Sequence, residues 1–491
     1  MKTFPKDFFW GGAVSAFQCE GAFSEGGRKD ITIDHLSVGS RKEPRNFTEE
    51  IDPNYYYPTH KGNDFYHRYE EDIALLAKMG IKMFRFSINW ARIFPNGDDS
   101  EPNQEGIDFY HKVFDELHKY HIEPLVTIYH FEMPYNLAVK YDGWYSRKTI
   151  DFYLGFCEIV FNEYKEKVKY WLPFNEMNSS LFTGTAFMVC GMYTAKSKDL
   201  GLGVFDPNAF KAAVAEDSAR QYQCVHHMLI ANAKAVKLGH EINPDFIIGC
   251  MISGICKYPL TCNPDDVMLS TISRQNNFYY CPDIMIRGYY PHYAKRLLEE
   301  VGIELKMEDE DVEVLKNGTV DFFSFSYYST ACVSADNNGE KTLGNLTFGV
   351  ANPYLKTSDW GWQIDPVGLR YFLNEIYDRY QLPIMVVENG LGQQDCIEND
   401  KTVHDPYRIE YFREHIKAMN EAINIDGVNL IAYTPWGIID LPSASTGEMS
   451  KRYGVIYVDA DDYGRGTYNR YPKDSFYWYK KVIASNGENG D

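Results

Sequence analysis

Two segments far apart in the chain, Trp171-Leu-Pro-Phe-Asn-Glu176-Met and Val386-Val-Glu388-Asn-Gly390, each run from an apolar, β-rich stretch straight into a glutamate. A carboxylate is costly to bury without a partner or a task. Two that meet at one site can divide the work of breaking an acetal bond. One stays protonated as general acid and the other attacks the anomeric carbon. A separation of roughly 5–5.5 Å goes with retention of configuration, and one of roughly 6.5–9.5 Å with inversion. Either glutamate alone reads as an ordinary strand-end carboxylate paired with an arginine; together they make a catalytic constellation.

The elements that must position them alternate along the chain. Apolar β-rich runs predict strands at 8–14, 81–88, 123–130, 168–174, 245–252, 321–327, 383–387 and 428–435. Amphipathic stretches predict helices near 64–79, 106–120, 148–165, 216–239, 266–299, 365–380, 407–424 and 474–484. In the first helix Asp64 is the expected cap, Ile73, Leu75, Leu76 and Met79 the buried face, and Gly80 the stop. Strand–helix alternation predicts a parallel sheet, and eight strands are the number that closes a barrel. No Gly-x-Gly-x-x-Gly follows the first strand, which argues against an open dinucleotide-binding sheet. The expected fold is α/β, a single (β/α)8 TIM barrel over residues 1–491 with long loops on its C-terminal face. Stretches 31–60, 177–215 and 329–364 are those loops, 37–57 is expected to be mobile, and the tail from Asn486 disordered.

In such a barrel polar groups gather at one rim. Gln18 follows the first strand, Arg85 lies near the end of the second, and His130 ends the third. Asn175 and Glu176 end the fourth, Tyr328 follows the sixth, Glu388 ends the seventh, and Trp436 ends the eighth. Composition narrows the partners. A net charge of −20 over 491 residues argues against nucleic-acid or anionic-membrane binding, and it repels any anionic substrate that lacks a local positive site. The 38 Tyr and 8 Trp favour a carbohydrate ligand, since sugars stack on aromatic faces. Ten scattered cysteines without a CxxC pair, no apolar leader and no long apolar run predict a cytoplasmic protein; for glycoside cleavage by two carboxyls no metal or organic cofactor is expected.

From Phe8-Phe-Trp-Gly-Gly-Ala to about Tyr479 the chain resembles the family 1 glycoside hydrolases. The resemblance implies that Glu176, in the Asn175-Glu176 pair, is the acid/base. It implies that Glu388, in Glu388-Asn389-Gly390, is the nucleophile of a retaining reaction. It places sugar-binding positions on Gln18, His130, Asn175 and Trp436, and the partners of the nucleophile on Arg85 and Tyr328. Arg85 and the Tyr328 hydroxyl would hold the Glu388 pKa low, while burial and the Glu388 charge would raise that of Glu176.

The stretch Trp436-Gly-Ile-Ile-Asp-Leu-Pro-Ser443-Ala444-Ser445, followed by Lys451-Arg452-Tyr453, narrows the substrate. Family members acting on plain sugars resemble a Glu-Trp pair at the positions of Ser443 and Ala444. Here neither the carboxylate nor the large ring is present. A carboxylate near O6 would repel a 6-phosphate; hydroxyls and a lysine would receive one. The pattern is similar to the 6-phospho-β-glycosidase branch, whose phosphate-binding Ser, Lys and Tyr fall on Ser445, Lys451 and Tyr453, with Ser443 as the rival serine. Ala444, and the Ser324-Phe-Ser-Tyr-Tyr segment in place of the commoner Asn-Tyr-Tyr, resemble the phospho-glucosidases. Phe131-Glu132 replaces the commoner Trp-Asp, and Trp360 is a candidate aglycone platform.

The expected activity is therefore a retaining 6-phospho-β-glucosidase acting on phosphorylated β-glucosides. A 6-phospho-β-galactosidase, an unphosphorylated β-glucosidase or β-galactosidase, and a sugar-binding protein on a degenerate barrel are the alternatives. A homo-oligomer stays open beside a monomer.

Overall fold

The computed structural model describes residues 2–182, 184–196, 198, 207–336, 338–344 and 348–488. Eight parallel strands close a barrel: β1 (Phe9–Ala13), β2 (Met83–Ser87), β3 (Glu123–Tyr129), β4 (Tyr170–Phe174), β5 (Ile247–Ser253), β6 (Phe322–Tyr327), β7 (Ile384–Asn389) and β8 (Leu430–Tyr433). Neighbours in sequence are neighbours in the barrel. The last strand returns to the first through Phe9↔Ala432 and Trp10↔Tyr433. Each of the eight sequence-predicted runs contains or overlaps one of these strands.

Period-two alternation sorts the side chains. In β6, Phe323, Phe325 and Tyr327 face outward into the large apolar layer beneath the helices. Phe322 faces inward and joins Met83, Leu125, Leu172, Met251, Met385, Val387 and Ala432 in a plug that fills the barrel. Gly249 makes room for that plug, because a Cβ there would lie 2.4 Å from the Phe322 ring. Burying one such side chain contributes about 1.5–3 kcal/mol, so the plug is a rigid floor rather than a pore.

Several local expectations need correction. Helix Phe65–Met79 ends at Gly80 with φ 95°, as expected, but Asp64 does not cap it. Asp64 is left-handed at φ 69°, and its carboxylate pairs with His67 and Arg68. The expected single helix 266–299 is broken into Pro264–Arg274, a π-turn at Gln275–Tyr279, Tyr280–Arg287 and Ala294–Val301. Gly288, at φ 74°, stops the third piece, and Pro291 cannot continue a helix. Apolar periodicity runs across these stops, which is why it merged the pieces.

Described residues of the long loops over the C-terminal rim form further strands. Stretch 329–364 contributes Thr330–Val333, Lys341–Leu343 and Phe348–Val350 to a small sheet with Cys256–Pro259. It then forms the hairpin Lys356–Thr357/Gln363–Ile364, whose turn carries Trp360 and Trp362. The tail through Glu488 is docked as well. The Asn486 amide donates to the Phe4 carbonyl, and its Oδ1 accepts from Trp10 Nε1. The rest of the tail lies outside the described residues.

Candidate active site

The rim residues converge. Glu176 follows β4 at φ 37°, a left-handed conformation that costs a non-glycine residue about 1–3 kcal/mol. Its carbonyl is held by the Ser179 N–H and hydroxyl, both at 2.7 Å, and this tight turn fixes the carboxylate at the strand end. Glu388 lies inside β7 beside a register shift between Val386 and Glu388, and it pairs with Ser326 of β6. The Ser326 hydroxyl donates to Glu176 Oε1. One serine therefore sits between the two glutamates, opposite one in register and bonded to the other.

Arg85 organises the floor. Nη1 donates to Glu388 Oε1 at 2.5 Å, Nη2 to Asn175 Oδ1 at 2.5 Å, and Nε to Thr127 Oγ1 at 3.1 Å. The Tyr328 hydroxyl donates to the other Glu388 oxygen at 2.8 Å. Arg85 thus pairs directly with Glu388 and acts on Glu176 only through space. Burial and then the Glu388 charge push the Glu176 carboxyl up to about 8, against the pull of Ser326 and Arg85. The expectation for Glu388 needs revision. Arg85 and Tyr328 do lower its pKa, but burial is the larger effect and the net direction is upward. The chemical outcome is one carboxyl that keeps its proton at neutral pH beside one that is ion-paired, the two components of acetal cleavage.

The sugar-wall residues divide by their hydrogen bonds. Trp436 and His130 face each other at 5.6 Å between ring centroids. Burial and the nearby Arg85 keep His130 neutral, and its Nδ1 is buried without a protein partner. Gln18 is spent within the protein, donating to the Pro442 carbonyl at 2.7 Å and accepting from Ser15. It ties the end of β1 to the loop after β8. Glu132 lies beneath the wall, accepting from Ser87 and from the His130 N–H at 2.6 Å each. The Phe131-Glu132 departure thus supports His130 from below.

The loop after β8 separates two adjacent cations. Arg452 is structural: it pairs with Asp440 at 3.0 Å and donates to the Val458 and Ala460 carbonyls. Lys451, only 2% exposed, lies over Trp362 at 4.1 Å, Tyr453 at 5.6 Å and Trp360 at 5.9 Å. Among the described residues no carboxylate is within ion-pair distance of it. Burial pushes its ammonium down to about 7. Gly392 leaves space for it, since a Cβ there would lie 2.8 Å from Lys451 Cε. The Ser443 and Ser445 hydroxyls are 3.3 Å apart, so the two rival serines present one patch.

Sequence reasoning overlooked Ser326 and Trp362. The alternation Phe-Phe-Ser-Phe-Ser-Tyr already placed Ser326 on the inward face with Tyr328. Trp362 stands two residues beyond Trp360. Among the described residues no three His, Cys, Asp or Glu side chains are grouped to hold a metal ion. None of the described helices is long and apolar enough to cross a membrane.

Comparison with known proteins agrees with this geometry. The chain is 49% identical over 492 residues to the aryl-phospho-beta-D-glucosidase BglA of Bacillus subtilis (strain 168), covering 99% of this chain and 100% of that one. It is 51% identical over 498 residues to a 6-phospho-beta-glucosidase of Clostridium longisporum, covering 99% and 98%. The family 1 β-glucosidase of Thermotoga maritima superposes with a TM-score of 0.81 at 29% identity, covering 99% and 98%. The family model for glycosyl hydrolase family 1 matches residues 1–488. With that match over its full barrel, the chain belongs to glycosyl hydrolase family 1 and is a glycoside hydrolase with the (β/α)8 TIM-barrel fold.

Proposed function

We propose that this enzyme hydrolyses 6-phosphorylated β-glucosides, such as cellobiose 6-phosphate and aryl β-glucoside 6-phosphates, by double displacement with retention. The observation that carries the reading is Lys451: a buried cation, ringed by aromatic side chains, with no carboxylate within ion-pair distance among the described residues and only Glu448 acting on it through space. A buried charge without a counter-charge is destabilising, and a phosphate supplies one together with acceptors for the Ser443, Ser445 and Tyr453 hydroxyls. The relatives named phospho-β-glucosidases favour the same substrate class.

In this reading Glu388 attacks C1 while Glu176 gives its proton to the leaving oxygen. The glycosyl ester cancels the Glu388 charge. The Glu176 pKa then falls, and Glu176 takes a proton from the water that cleaves the ester. Arg85 and Tyr328 hold Glu388 in place, and Gln18, His130, Asn175 and Trp436 shape the sugar wall. We read residues 1–491 as one catalytic domain. We place the enzyme in a reducing, cytoplasmic setting on its ten unbridged thiols, most of them buried.

The test compares nitrophenyl β-glucoside with its 6-phosphate. The phosphorylated substrate is expected to have a kcat/KM higher by about 100-fold or more. A preference for the plain glycoside overturns the reading.

A further inference from the structure

Buried cations in this protein come with carboxylates. Arg28 pairs with Asp34, Arg85 with Glu388, Arg92 with Glu20, Arg470 with Asp72 and Lys473 with Asp395. Arg408 and Arg452 have theirs in Asp395 and Asp440. Among the described residues only two buried cations lack one: Lys451 and Arg45, the latter 1% exposed. They come from opposite ends of the sequence, and both serve the loop 443–453.

Arg45 reaches that loop from stretch 37–57, the segment expected to be mobile. Its guanidinium donates to three backbone carbonyls: Ser37 from Nε at 3.0 Å, Leu36 from Nη2 at 2.9 Å and Ala444 from Nη1 at 2.9 Å. The Gly39 N–H adds a bond to the Thr446 carbonyl at 2.8 Å. Gly447, at φ 77°, permits the close approach, since a Cβ there would lie 2.8 Å from Pro58. Carbonyl dipoles satisfy the donors but do not cancel the charge. Asp34, already bound to Arg28, acts on Arg45 only through space.

We propose that Arg45 is a positioning residue of the phosphate end. It holds the Ala444 carbonyl so that the Ser445 N–H of the same peptide points the opposite way, toward the anion. Its unpaired charge is the second cation that a phosphate dianion balances. In a trans peptide the carbonyl and the N–H point in opposite directions, so fixing one aims the other. A hydrogen bond accepted by the carbonyl also polarises the peptide and strengthens its N–H as a donor. The Ser445 N–H has no protein acceptor among the described residues. A phosphate monoester carries close to two negative charges at neutral pH, and two cations without an ion-pair partner match it.

The inference rests on the phosphorylated-substrate reading, and the experiment separates the two. Competitive inhibition by glucose 6-phosphate and by glucose is measured for the parent, Arg45→Met and Arg45→Lys. If the parent binds both sugars equally, the phosphate reading itself fails. If the parent prefers glucose 6-phosphate, Arg45→Met is expected to raise the inhibition constant of glucose 6-phosphate about tenfold or more and to leave that of glucose within about twofold. Arg45→Lys, which keeps the charge but not the three-carbonyl grip, is expected to fall between. An unchanged ratio of the two constants in Arg45→Met, or equal losses for both sugars, overturns the proposal. Should Arg45→Met not fold, Arg45→Lys decides: a ratio changed by about threefold or more supports the proposal, and an unchanged ratio overturns it.

Discussion

The floor of the site and the loop above it solve opposite charge problems. On the floor two carboxyls, Glu176 and Glu388, stand near one cation, Arg85, which pairs with Glu388 and reaches Glu176 only through space, so there is one anion too many. At the loop, Lys451 has no anion within ion-pair distance among the described residues, and Glu448 acts on it only through space. Both are desolvated, and each side adjusts by moving a proton. Glu176 is pushed up to about 8 and holds one; Lys451 is pushed down to about 7 and tends to lose one. The floor is built on strand ends and is bonded throughout. The loop is built on turns and is completed by what binds there. Reaction type follows from the first region, substrate choice from the second.

The comparison breaks most directly at Glu388. Glu388→Gln is expected to lower kcat by at least about 10⁴-fold, because the attacking group is gone. The same change removes the neighbouring negative charge, so the Glu176 carboxyl should titrate below its parent value of about 8 in a carbon-13 NMR titration. An unchanged titration would mean that burial alone raises Glu176.

At the loop, Lys451→Ala is expected to lower kcat/KM for nitrophenyl β-glucoside 6-phosphate by about 100-fold and for the plain glucoside by less than about threefold. Equal losses would make Lys451 a structural lysine. The sign of the pH dependence follows from the same group. Lys451 is charged below about 7 and neutral above it, so KM for the phosphorylated substrate should rise as pH rises through that value. KM for the plain glycoside should not follow it.

The smallest effect belongs to Ser326. Its hydroxyl favours the ionised form of Glu176, so Ser326→Ala should raise the Glu176 pKa further. A general acid works while protonated, and the parent kcat/KM should therefore fall above about pH 8. In Ser326→Ala that alkaline limb should move upward while the peak rate falls about tenfold. A lower rate with an unmoved limb would assign Ser326 to packing alone.

Much of this was legible in the chain. Strand positions were readable because buried parallel strands are nearly continuous apolar runs, and Glu176 and Glu388 were conspicuous as charges ending such runs. Lys451 stood out against the missing carboxylate at Ser443. Helix breaks were not readable at Gly288, because the periodic pattern continues past it. Arg45 was invisible, since its partners are backbone carbonyls about 400 residues away in sequence, at Ala444, as well as nearby at Leu36 and Ser37.

The sequence by itself determined the barrel, the two glutamates and the serine in place of a carboxylate at position 443, since each is a matter of residue type and local order. Only the tertiary structure decided how the charges are shared. It put Ser326 between the glutamates, gave Arg452 to Asp440 and left Lys451 and Arg45 unpaired. Desolvation and Coulomb interactions depend on which groups the fold brings together in a dry site, and no local pattern in the chain encodes that neighbourhood.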